Sequence, residues 1–162
     1  MRILGLDPSL SSTGWGVIEV EGNRLQYVAD GFIPTPPKMP IEERLDLIFR
    51  TLCEVVETYK PVEAAIEKTF LNQNPESSLK LSMARGVVIL AAGYNHIPLY
   101  ELEPNKVKKA LVGVGHADKK QVEAMIKILL PGCNPKNNDS SDALAMAVAR
   151  SHYRSTLSAV KY

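Results

Sequence analysis

Four acidic residues stand where this chain changes direction. Asp7 closes the run Ile3-Leu4-Gly5-Leu6, and Glu67 closes Val62-Glu63-Ala64-Ala65-Ile66. Asp139 and Asp142 open an alanine-rich stretch, Ala143-Leu144-Ala145-Met146-Ala147-Val148-Ala149. Carboxylates without His or Cys companions form an oxygen-only donor set, which suits hard divalent cations such as Mg²⁺. Two such ions about 4 Å apart activate a water and stabilise a leaving oxygen in phosphodiester hydrolysis. Each acid also has a plainer reading. Asp7 before Pro8-Ser9 is a good turn residue, and the strand end alone does not choose between turn and ligand. Acids in a first helical turn complement the helix dipole and cap free N–H groups. For Asp139 taken alone the capping role has the edge. Asp142 runs straight into an almost uncharged helix and is harder to assign to capping.

The elements that must position these acids follow from periodicity. Residues 3–6 are apolar or small without alternation, the mark of a strand buried on both faces. Pro8 ends the ladder because it has no N–H to donate. Asp7 therefore lies at the carboxyl end of a central strand, the edge where open α/β sheets bind ligands. Residues 8–14 read as a turn, and 15–20 and 25–33 as an antiparallel pair around Glu21-Gly22-Asn23. That gives a three-strand meander. A proline-rich loop over 34–40 precedes an amphipathic helix over 41–59, with Leu45, Ile48, Leu52, Val55 and Val56 on one face. The strand over 62–67 is reached through this helix, so it runs parallel to its neighbour, most simply the first strand. Their carboxyl ends would then lie about 5 Å apart. Like charges so close raise each other's pKa unless a cation intervenes.

Further along, a loop over 70–75 leads to a helix over 77–95. Its second half is apolar nearly all round and so belongs in the core or against a partner. Ala84 and Gly86 are small enough to let a second helix approach. A strand over 97–102, a helix over 104–111, a flexible link Gly113-Val114-Gly115-His116 and a helix capped by Asp118 follow. The last helix runs from about 138 to 153. Its i, i+3 spacing puts Asp139 and Asp142 on one face, roughly 5–6 Å apart. We expect one domain over 1–155 and a loose tail over 156–162.

Composition bounds the rest. Apolar residues make up 45% and charged residues 23% of the chain, as in an ordinary globular protein. The net charge of +1 means that any nucleic-acid surface must come from local clustering. Lys106, Lys108, Lys109, Lys119, Lys120 and Lys127 face only Asp118 and Glu123 between 104 and 127. A solvated face is the plain reading of such a run, and it suffices for Lys127. Lys80 and Arg85, on the helix after the 70–75 loop, are expected to add to the same DNA-binding surface. Phe70, three residues past Glu67 and followed by a polar loop, is either core or an exposed stacking ring. Cys53 and Cys133 cannot build a disulfide framework, and both read as reduced packing residues of a cytoplasmic protein. His96, His116 and His152 share no ligand spacing. No leader is expected before the first strand, and the longest apolar run is too short to span a bilayer.

Taken as an ordered set, these motifs resemble the RuvC family of bacterial Holliday junction resolvases. They are Asp7 after its strand, Ala65-Ile66-Glu67 with Phe70, Leu79-Lys80-Leu81-Ser82-Met83-Ala84-Arg85-Gly86, Pro104-Asn105-Lys106-Val107-Lys108, Gly113-Val114-Gly115, Lys119-Lys120-Gln121-Val122 and Asp139-Ser140-Ser141-Asp142-Ala143-Leu144-Ala145. The resemblance implies an α/β, RNase H-like fold: a five-stranded mixed sheet, a meander then two parallel strands, flanked by helices. It implies a homodimer that cuts four-way junction DNA symmetrically with Mg²⁺ or Mn²⁺, two ions per site, in recombination and repair. It implies Asp7, Glu67, Asp139 and Asp142 as catalytic metal ligands, Lys108 and Lys119 as DNA-handling residues, and Phe70 as a ring inserted between bases. It also implies the RuvA–RuvB branch-migration complex as a partner. One departure is Ser9, where the family often has glycine. Two other classes compete. An actin-like phosphotransferase also opens with an acid after a strand, but 162 residues cannot hold its two lobes. A non-catalytic junction-binding protein would keep the fold without needing all four acids.

Overall fold

The computed structural model describes residues 1–70 and 73–154. Part of the 70–75 loop and the tail expected over 156–162 lie outside the described residues. β1 (Arg2–Asp7), β2 (Ser12–Glu21) and β3 (Arg24–Pro34) form the meander. α1 (Ile41–Tyr59), β4 (Glu63–Glu67), α2 (Pro75–Tyr94) and β5 (Leu99–Leu102) follow, then α3 (Pro104–Val112), α4 (Lys119–Leu129) and α5 (Asn138–His152). The sheet order is β3-β2-β1-β4-β5, with β1, β4 and β5 mutually parallel and the hairpin pairs antiparallel.

Several boundaries differ from the sequence expectation, each for a local reason. β2 resumes at Ser12 rather than 15, because Thr13 and Gly14 already pair with Ile33 and Phe32. The turn after Asp7 is short: the Thr13 hydroxyl donates to the Ser9 carbonyl at 2.7 Å. Ser9 needs no glycine-like backbone, since Lys60 and His96 are the non-glycine residues of positive φ among those described. α2 starts earlier than expected, at Pro75, because the Asn74 side chain accepts from the backbone of Glu76 and Ser77. β5 is shorter, because the Ile97 amide closes the end of α2 on Ala92 and Pro98 follows.

The core has two halves. Leu4, Leu6, Ala64 and Ile66 bury with Ile48, Leu52, Ala84 and Val88 of α1 and α2. Ile3, Ala65 and Leu102 bury on the other face with Leu144, Ala145 and Val148 of α5 and with Val107, Val122 and Ile126 of α3 and α4. α5 is covered all round, with every residue from Ala143 to Arg150 buried. It can lie so close because two glycines clear its path. A Cβ at Gly5 would stand 1.8 Å from the Ala143 carbonyl oxygen, and one at Gly14 would stand 2.1 Å from that of Asp139. α2 is not buried all round: Ala84, Val88, Ala91 and Ala92 face the core, whereas Leu79, Leu90 and Tyr94 are exposed. Ala84 and Gly86 therefore do not form one small-residue patch, since Ala84 is fully buried. Among the described residues no helix is long and apolar enough to cross a membrane.

Candidate metal-dependent nucleic-acid site

Strand parity decides where the first two acids point. Gly5 pairs with Ala65, and both look toward α5; the pairing continues through Leu6 and Ile66. Asp7 and Glu67 come one step later, so their side chains emerge on the α5 face at adjacent strand ends. Both line a cavity of roughly 210 Å³ with Lys108 of α3, Lys119 of α4 and Asp142 of α5. Pro104, Val107, Val122, Ala145 and Met146 form its apolar wall.

Asp139 sits just outside this lining and is anchored from two sides. Its Oδ2 accepts from the Ser12 hydroxyl at 2.6 Å and from Asn137 Nδ2 at 3.0 Å. The cap of α5 is Asn137, in a capping box with Ser140, so Asp139 is not the cap. Asp142 receives the Lys119 ammonium at 3.2 Å.

The electrostatics are those of carboxylates crowded in a sheltered place. Burial first, then the charges of Asp142, Asp139 and Glu67, push Asp7 up to about 7. Burial also raises Glu67 and Asp142; Lys108 opposes the rise at Glu67 and Lys119 opposes it at Asp142. A divalent cation would reverse the repulsion that raises Asp7, so the donor set fits a hard metal ion. Among the described residues no three His, Cys, Asp or Glu side chains already converge as a closed cage. Asp139 is turned to Ser12 and Asn137, and Asp142 to Lys119.

The other residues singled out in the sequence fall in three places. Phe70 is 68% exposed, which removes the core reading, and the Lys68 ammonium lies 5.9 Å from its ring centre. Lys80 pairs with Glu76 at 2.8 Å and borders a separate groove with Ser9, Ser11, Arg44 and Ser77. Arg85 is turned inward: its Nη1 donates to the Glu67 carbonyl at 2.7 Å and its Nη2 pairs with Glu101. Sequence reasoning missed Ser12, Asn137 and Glu101. Asn137 carried a signal as a good cap type ahead of α5, and Gly5 inside an apolar strand marked the close approach of that helix.

The family model for crossover junction endodeoxyribonuclease RuvC matches residues 3–150. A crossover junction endodeoxyribonuclease RuvC from Bradyrhizobium diazoefficiens is 50% identical over 154 residues, 95% of this chain and 88% of the relative. One from Xanthobacter autotrophicus is 53% identical over 95% of this chain and 91% of its own length. Among solved structures, T. thermophilus RuvC in complex with Holliday junction substrate superposes with a TM-score of 0.93 at 31% identity, covering 99% of both chains.

Proposed function

Because the chain belongs to the RuvC family of crossover junction endodeoxyribonucleases, we propose that it resolves four-way DNA junctions by phosphodiester hydrolysis. The observation that carries this is the convergence of Asp7, Glu67 and Asp142 with Lys108 and Lys119 at one sheet edge. Asp7, Glu67, Asp139 and Asp142 are the residues to hold Mg²⁺, or Mn²⁺ in its place, as two ions. When bound, such ions supply water activation and neutralise charge at the phosphate. Lys108 and Lys119 hold the phosphodiester from the α3–α4 side, giving affinity without sequence readout. Lys119, paired with Asp142 at 3.2 Å, would be available to a phosphate once that acid held a metal ion. Phe70 stacks on a base at the junction centre. A non-catalytic binder would have no use for three acids gathered at one sheltered sheet edge.

Symmetric resolution needs two sites, and the exposed Leu79, Leu90 and Tyr94 of α2 suit the two-fold contact of a homodimer. The free Cys53 and Cys133 fit a reducing cytoplasm. The RuvA–RuvB complex is the proposed partner that delivers junctions.

The test is incubation with a synthetic mobile four-way junction, with and without Mg²⁺. Wild-type protein should give paired nicks only with metal. Asp142→Asn should bind the junction and not cut it. Parental cleavage by Asp142→Asn in Mg²⁺ would overturn its assignment as a ligand.

A further inference from the structure

The β4 exit is gripped from the side opposite its carboxylate. Glu67 sends its side chain to the α5 face, while its main-chain carbonyl accepts Arg85 Nη1 at 2.7 Å. The same nitrogen reaches Thr69 Oγ1 at 3.3 Å, two residues further on and next to Phe70. Arg85 Nη2 pairs with Glu101, which the β4–β5 register sets opposite Ile66 on the α2 side of the sheet. The pair is sheltered, with side-chain exposures of 11% and 22%. A guanidinium fork suits this arrangement, because its donors are fixed in one plane and bridge two acceptor sets at once. β4 is also tied from β5, where the Lys68 amide donates to the Leu102 carbonyl at 2.7 Å.

We propose that Arg85, held by Glu101, is a positioning residue that fixes the Glu67 strand end and the base of the Phe70 loop from helix α2. It is not a phosphate contact. The inference rests on the functional reading above and deepens it. α2 also carries the exposed Leu79, Leu90 and Tyr94. One side chain therefore links the proposed subunit contact to a metal-ligand strand and to the stacking ring.

Three variants separate the roles: Arg85→Gln, Arg85→Lys and Glu101→Gln. Three measurements apply to each: junction affinity against salt without divalent metal, Mn²⁺ affinity of the free protein by electron paramagnetic resonance, and the single-turnover cleavage rate at saturating protein. Removing a supporting shell around a metal ligand lowers metal affinity or rate by about 10–100-fold. Arg85→Gln and Glu101→Gln should both do so while the salt slope of junction binding stays at the wild-type value, any loss of affinity through the Phe70 loop being independent of salt. Arg85→Lys should lie between, since an ammonium lacks the planar fork.

A phosphate contact gives the opposite pattern. Arg85→Gln would then bind more weakly with a salt slope shallower by about 0.9, and Glu101→Gln would bind more tightly by releasing a cation. That pattern, or wild-type values throughout, overturns the proposal. Should Arg85→Gln fail to fold, Glu101→Gln still decides through Mn²⁺ affinity. Absence of cleavage by the wild-type protein would instead count against the functional reading, and the Mn²⁺ comparison would still judge the clamp.

Discussion

At the scale of residues, Asp7 and Phe70 give the sharpest expectations. Asp7 titrates near 7 in the folded chain against 3.8 for the free side chain. Between those values the folded protein holds a proton that the unfolded chain has released. The stability this group contributes is therefore fully present below about pH 3.8 and lost as pH rises through 7. Glu67 and Asp142 are shifted in the same direction and deepen the trend. Metal-free protein should melt at progressively lower temperature from pH 4 to 7. Mg²⁺ should raise the melting temperature more at pH 8 than at pH 5, and Asp7→Asn should flatten the metal-free profile. A flat wild-type profile in EDTA would sink the crowded-acid account. Phe70 is exposed, so Phe70→Ala should leave melting unchanged, whereas a core phenylalanine would cost about 3–5 kcal/mol. Junction engagement should weaken by about 1–3 kcal/mol, the worth of one stacked base. Cleavage of fully paired junctions should suffer most, and unpaired bases at the centre should restore part of it. Equal damage on both substrates would remove Phe70 from the junction centre.

At the scale of elements, the distance between α5 and the sheet sets the site. Gly14 lets the Asp139 backbone rest against β2, and Gly5 does the same for Ala143 against β1. Gly14→Ala forces the first turn of α5 outward or bends β2. Overpacking of this kind costs about 1–3 kcal/mol. Mn²⁺ affinity should fall by more than the loss of stability explains, because Asp139 and Asp142 move with the turn. Unchanged Mn²⁺ binding in Gly14→Ala would mean that the turn absorbs the methyl elsewhere. The elements were largely legible in the chain, because unbroken apolar runs and three-to-four spacing report burial directly. Asp7 and Glu67 were legible too, since each follows a strand at its carboxyl end. The anchoring of Asp139 by Ser12 was not, as 127 residues separate the two. Nor was the inward turn of Arg85, which depends on Glu101 lying on the α2 side of β5, a parity that local composition does not carry. The cap of α5 was misjudged by two positions because Asn137 and Asp139 are both good cap types.

At the scale of the whole molecule, the two faces of the sheet divide the labour. The α5 side holds the acids and lysines, and the α1–α2 side holds the exposed apolar residues of α2. A net charge of +1 leaves little general attraction for DNA, so binding should depend on the local lysine cluster, present twice in the proposed dimer. Leu90→Glu should shift micromolar protein to monomer in sedimentation. It should also weaken junction binding and replace paired cuts by single nicks. A wild-type monomer that still makes paired cuts at that concentration would remove α2 from the assembly. A dimeric Leu90→Glu protein would move the contact elsewhere.

The burial of α5 from Ala143 to Arg150 has a consequence for the way the protein opens. Amide hydrogens exchange earliest where few apolar contacts must break, and last where only global unfolding frees them. α5 lies between the sheet and α3–α4, so its amides belong to the slowest class, and Asp142 and Asp139 ride on the first turn of that segment. α2 has an exposed outer face and belongs to an earlier-opening class. Partial opening would therefore loosen the proposed subunit contact and the Arg85 grip while the acids on α5 stay in register. A molecule in that state would keep Asp139 and Asp142 in place but lose the proposed hold on the Glu67 strand end and the proposed means of pairing its cuts.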